Sequence, residues 1–210
     1  MPERNYDGIF RNPRMFDSRK TFSAAGFEVK QAASHNIMVA THPTENRYLF
    51  KKYCSDVPLD EQEDNYRDRL WGSRKIQQII NRHRLKHLVV PHKFLYELPD
   101  RFSRRRRTYV LVAERLPVLS ADESTKRYRT IRPEVLDDLC RVLFHFRGFD
   151  AAIHNLPFTT EGQIAFIDTE SCTRSPRPGT RVFKRIDREL PMELRKRIRR
   201  TFRRIEDHED

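Results

Sequence analysis

Short runs of alternating apolar and polar residues predict strands at 27–30, 37–40 and 48–53, the last an aromatic run, Tyr48-Leu-Phe-Lys-Lys-Tyr53, that carries two lysines. The turn residues His42-Pro-Thr-Glu-Asn46 separate the second run from the third. At 61–84 the period lengthens: Tyr66, Leu70, Ile76, Ile79 and Ile80 recur at helical spacing, and one long helix is expected. Strands follow at 88–90, 93–96 and 109–113, with the Arg-rich turn 99–107 joining the last two. The segment 132–146 predicts a second helix, because Pro133 stands near its start and Gly148 just beyond its end. Leu194, Ile198, Phe202 and Ile205 line one face of a third, at 193–205, whose other positions are crowded with Arg and Lys. Residues 1–22 show no sustained period and are expected to form a flexible N-terminal arm.

A chain of 210 residues suits one domain, or two small lobes that share a cleft, and is long enough to bury a core. No run approaches the roughly eighteen consecutive apolar residues of a membrane span, and the start Met1-Pro-Glu-Arg-Asn-Tyr-Asp lacks the regions of a signal peptide. A soluble, cytoplasmic protein is therefore expected, not a transmembrane one. Cys54, Cys140 and Cys172 are odd in number, widely spaced and without a Cys-x-x-Cys pair, so neither a disulfide framework nor a zinc site is suggested. The net charge of +12 and a pI near 10.0 change the picture more. They imply attraction to polyanions: nucleic acid, anionic lipid, nucleotides or acidic protein. Charge alone does not choose among these.

The sharpest chemical signal comes from three side chains able to bind metal: Asp150, Asn155 and Asp168. Asp150 and Asn155 stand five positions apart in Gly148-Phe-Asp-Ala-Ala-Ile-His-Asn155. Asp168 closes the apolar strand Ile164-Ala-Phe-Ile167, which follows the turn Thr159-Thr-Glu-Gly162. A strand ending in Asp is common in α/β proteins, so the spacing carries the signal rather than any single residue. The arrangement resembles the catalytic core of the protein-kinase-like fold, whose pattern H-R-D-x-x-x-x-N is followed, after a β-hairpin, by a metal-binding Asp. The resemblance covers about residues 27–170 and includes the order of elements. Three strands, one helix and a hairpin correspond to that family's small lobe, Glu114-Arg-Leu-Pro117 stands where its hinge lies, and a helix precedes the catalytic loop.

The resemblance implies an α+β, two-lobe protein-kinase-like fold with a reduced C-terminal lobe: the arm at 1–22, a small lobe at 23–116 and a large lobe at 117–210. It implies ATP and Mg²⁺, or Mn²⁺, as cofactors, and a phosphate acceptor of unknown kind. By the same resemblance Asp150 orients the acceptor hydroxyl, Asn155 and Asp168 hold metal, and Glu114 and Leu116 meet the nucleotide. The family's strand lysine, which reaches the phosphates, corresponds to Lys51 or Lys52, and strand alternation puts the two on opposite faces. Lys51 is favoured because it shares its face with Leu49, a lid for an adenine ring. For either lysine the plain alternative is a solvated charge on a strand.

Several family features are missing. Gln31-Ala-Ala-Ser-His-Asn36 joins the first two strands without a glycine, so the grip on phosphate is weaker or differently made. The helix Glu that would pair with the strand lysine is absent: Leu70-Trp-Gly72 occupies about its place, and the nearest acid is Asp68. Thr169-Glu170 replaces Phe-Gly after the metal Asp, Gly148-Phe149 replaces His-Arg, no Ala-Pro-Glu follows, and only about forty residues remain. The expectation is therefore an atypical phosphotransferase. The alternative is an inactive pseudokinase, or a basic module that docks polyanions or a protein partner.

The remaining candidates have blander readings. Glu170 reads as a surface acid capping a turn, and His35, His145 and His154 as structural, since no spacing pairs them. Ser171 and Cys172 lack the surroundings of a nucleophile. Arg104-Arg-Arg-Arg107 and the basic C-terminal helix are the two surfaces suited to an anionic partner such as RNA, lipid or acidic protein. No aromatic residues are interleaved with the helix arginines to stack on bases.

Overall fold

The computed structural model describes residues 6–30, 37–54, 57–102, 107–146, 151–169 and 190–209 as a mixed α+β structure. In chain order the strands are β1 (Glu28–Lys30), β2 (Ile37–Thr41), β3 (Tyr48–Tyr53), β4 (Leu88–Val89), β5 (Lys93–Glu97), β6 (Tyr109–Glu114) and β7 (Ile164–Ala165). The helices are α1 (Arg19–Ala24), α2 (Leu59–His83), α3 (Ala121–Arg129), α4 (Pro133–Phe144) and α5 (Met192–Glu209). The chain divides into two compact units, Met1–Arg67 with His92–Arg115 and Asp68–Pro91 with Leu116–Asp210.

The first unit is built on an antiparallel sheet in the order β1-β2-β3-β6-β5. The pleat shows in β3 from Tyr48 to Lys52: Tyr48, Phe50 and Lys52 are buried and Leu49 and Lys51 half-buried, while Tyr53 at the strand's end is buried as well. Residues 6–22, expected to belong to a loose arm, instead supply much of this unit's core. Tyr6, Phe10, Met15, Phe16 and Phe22 are buried with Phe27, Phe50, Val110 and Val112. Phe10 has ring centroids at 5.9 Å from Phe16, 5.9 Å from Phe27, 5.8 Å from Phe50 and 5.9 Å from Tyr96. The segment escaped the periodicity reading because it follows no single period. A turn of 3₁₀ helix at Pro13–Phe16 is capped by Asn12, and α1 opens on a capping box between Ser18 and Thr21. Arg101 donates to the Phe10 carbonyl, and the Tyr96 hydroxyl donates to Asp7. Burial and that hydrogen bond push the Tyr96 phenol up to about 12.

α2 belongs to the first unit as far as Arg67 and to the second from Asp68 onward. It ends where Arg84 turns left-handed, at φ 52°, and the Leu85 N–H reaches back to the Ile80 carbonyl at 3.0 Å, satisfying one of the helix's last acceptors.

The second unit packs Ile76, Ile79 and Ile80 of α2 with Leu136, Leu139 and Leu143 of α4, Ile164 of β7, and Ile198, Phe202 and Ile205 of α5. β4 does not join the first sheet; it runs parallel to β7, with Leu88 opposite Ile164 and Val89 opposite Ala165. α3 was not anticipated, although Ser120-x-x-Glu123 is a capping-box signature and forms that box here. The expected turn before β7 closes with the Gly162 N–H on the Thr159 carbonyl at 3.0 Å, and Gly162 takes φ 89°, where a side chain would be strained. Among the described residues no helix is long and apolar enough to cross a membrane.

Candidate functional site

From β7, with Ile164 and Ala165 buried, the chain runs on through buried Phe166 to half-buried Ile167 and Asp168. The partner segment is a turn of 3₁₀ helix, Ile153–Asn155, whose Asn155 carbonyl accepts from the Ile167 N–H at 3.1 Å. That bond brings together the stretches bearing two of the expected metal ligands, Asn155 and Asp168. The turn is anchored from below: the buried Tyr128 hydroxyl donates to the Leu156 carbonyl at 2.8 Å, and the Phe158 N–H to Ser124 Oγ at 3.2 Å. Burial raises the Tyr128 phenol far above its ordinary value, so it stays a donor.

Asp168 meets a cation that sequence reasoning passed over. Arg69 Nη1 of α2 lies 3.2 Å from Asp168 Oδ1, with the Arg69 side chain 5% exposed and the Asp168 side chain 26% exposed. The next residue holds the same helix position by its backbone: the buried Thr169 hydroxyl donates to the Arg69 carbonyl at 2.7 Å. A sequence signal existed, because Arg69 falls between Tyr66 and Leu70 on the apolar side of the helix. A buried arginine needs a partner.

The donor chemistry of Asp168 and Asn155, one carboxylate and one carboxamide, fits a hard cation such as Mg²⁺. Against it stands the guanidinium already at Oδ1. Among the described residues no group of three or more His, Cys, Asp and Glu side chains is placed to hold a metal. Asp150, expected to orient an acceptor, lies outside the described residues, as do Glu170, Ser171 and Cys172.

Lys51 sits in the centre of the sheet, opposite Val39 of β2 and Leu111 of β6, and its carbonyl accepts from the Tyr66 hydroxyl at 3.4 Å. Lys52 faces the other way and is 3% exposed, with Nζ 2.5 Å from Gln62 Oε1 and 5.7 Å above the Phe16 ring. Burial lowers its amine to about 8. The α2 side chain on Lys52 is thus an amide, Gln62, which in turn donates to the Val57 carbonyl at 2.7 Å. Asp68 is exposed. Glu114 ends β6, exposed, with its N–H on the His92 carbonyl at 2.8 Å. Leu116, in the second unit, is half-buried.

The basic surfaces divide. Arg104, Arg105 and Arg106 lie outside the described residues, while exposed Arg107 is 3.5 Å from Glu97. On α5, Arg197 grips Asp137 of α4 through Nε and Nη2, at 3.1 and 2.8 Å, Thr201 adds a bond at 2.9 Å, and Arg204 stands 3.9 Å away. Arg199, Arg200 and Arg203 are exposed. His145 is stacked on His83 with centroids 6.2 Å apart. Comparison with protein-family models and with curated sequences returns no match for this chain.

Proposed function

We propose that this chain is an atypical kinase-like phosphotransferase that binds ATP with Mg²⁺. In this reading Asn155 and Asp168 hold the metal, Asp150 orients the acceptor hydroxyl, Lys51 serves the phosphates, and Glu114 and Leu116 meet the base. The observation that supports it is the backbone bond from Ile167 to Asn155, which brings together the two stretches that bear Asn155 and Asp168. Support also comes from the element order: after α1, three strands, α2, β4 and the β5–β6 hairpin precede α3, α4 and the Asn155 turn. Phosphoryl transfer rests on positioning and charge neutralisation, so a site keeping its metal ligands tolerates the loss of a glycine loop.

The expected result is that ATP raises the melting temperature only with Mg²⁺ or Mn²⁺ present, because phosphates and Asp168 otherwise repel. Ligand at a hundredfold excess over Kd stabilises the folded state by about 2.7 kcal/mol. Differential scanning fluorimetry on the wild type and on Asp168→Ala measures this. A shift independent of metal, or no shift at millimolar ATP, sinks the reading.

A second reading, a docking module for a polyanion, is favoured by the exposed Arg199, Arg200 and Arg203 of α5. Arg197 and Arg204 are poorer candidates, since both face Asp137. If the three exposed arginines neutralise phosphates, changing all three to Gln should flatten the salt dependence of duplex DNA binding, by roughly 0.9 in log–log slope for each phosphate no longer neutralised. Equal slopes for variant and wild type would leave these arginines as a solvated face.

A further inference from the structure

We propose that Arg69 is the resident cation of the Asp168 carboxylate, and that a divalent metal binds at Asp168 only by displacing it. The inference rests on the metal-binding reading above and specifies how that site is controlled. Three observations carry it. The guanidinium is almost fully buried, so its charge has been taken out of water and is compensated at Asp168 Oδ1, 3.2 Å away. The pairing is not a chance meeting of long surface side chains, because Thr169 ties the Arg69 carbonyl to the residue after Asp168 at 2.7 Å. Both ends of the pair therefore stay in register when the arginine side chain alone changes rotamer. The helix is held on the same stretch by Ser73, whose hydroxyl donates to the Pro91 carbonyl at 3.2 Å, and by Trp71, edge-on to Phe146 at 6.2 Å.

The electrostatic consequence is direct. A metal ion on Asp168 would lie within about 5 Å of a guanidinium still bound to the other side of the same carboxylate, a strong repulsion in a partly buried setting. Metal and Arg69 are thus competing occupants. The metal carries twice the charge and, with ATP, brings phosphates that give the displaced guanidinium a new anion to face.

The test is Mn²⁺ binding in the presence of ATP, read by electron paramagnetic resonance on folded wild type, Arg69→Gln and Asp168→Asn. Arg69→Gln is expected to bind Mn²⁺ about tenfold or more tightly than wild type, and Asp168→Asn to bind it no better than buffer. In metal-free buffer Asp168→Asn should lower the melting temperature, because it takes the carboxylate away from the buried guanidinium. Equal Mn²⁺ affinity in wild type and Arg69→Gln overturns the displacement while leaving the phosphotransfer reading intact. Absence of Mn²⁺ binding in every folded variant overturns that reading and the displacement with it. Should Arg69→Gln not fold, Arg69→Lys replaces it: the shorter ammonium holds Asp168 less well, so affinity should rise by a smaller factor, and an unchanged affinity counts against the proposal.

Discussion

Phe10→Ala is expected to destabilise the protein by about 3–5 kcal/mol, the range for emptying a buried aromatic site. Phe10 is 0% exposed and touches rings on four sides, Phe16, Phe27, Phe50 and Tyr96, so the cavity would have rigid walls that cannot close in. Phe22→Ala belongs to the same class, since its ring stacks on Phe27 at 4.2 Å. Urea denaturation followed by fluorescence of Trp71 or by circular dichroism would measure the change. A loss below about 0.5 kcal/mol, the level of an ordinary surface substitution, would mean that the N-terminal segment contributes no core.

Phe202→Ala should cost a similar amount, about 3–5 kcal/mol, because its ring is 3% exposed and packs against Phe144 at 5.8 Å. The polar clamp beside it should contribute less and should do so with a definite pH dependence. Burial raises the Asp137 carboxyl, but the bonds from Arg197 and Thr201 and the charges of Arg197 and Arg204 outweigh that and leave it below its ordinary value near 3.8. A carboxyl depressed in the folded state stabilises above its unfolded value, and that contribution is lost as pH falls through the lower, folded one. Since Arg197 is 40% exposed, solvent screening limits the clamp to about 1 kcal/mol. Asp137→Asn should therefore lower stability slightly at neutral pH and shrink the further loss on acidification below about pH 4. An unchanged acid limb in the variant would remove Asp137 from the account of docking.

Much of the secondary structure was legible because it depends on local periods. β3 follows from the alternation in Tyr48-Leu-Phe-Lys-Lys-Tyr53, and α2 and α5 from apolar residues at helical spacing, with ends within a few residues of those expected. The opposite facing of Lys51 and Lys52 needed only the strand period, and the turn before Asp168 needed only Gly162. α3 was equally local, yet its apolar content is low and its capping box was passed over.

What the sequence by itself determined is thus which residues share a face: the buried edge of α5, the parity of β3, and the Asn155 and Asp168 stretches flanking one hairpin. Only the tertiary structure decided what those faces meet. Tyr6, Phe10, Phe16 and Phe22 have no period that announces burial; they are interior because the sheet of the first unit offers an apolar face large enough to cover them. Arg69 and Asp168 are ninety-nine positions apart, and Lys52 finds Gln62 rather than a carboxylate. A buried charge takes whatever partner the packing brings within reach, and reach across the chain is set by how elements pack, which no local pattern encodes.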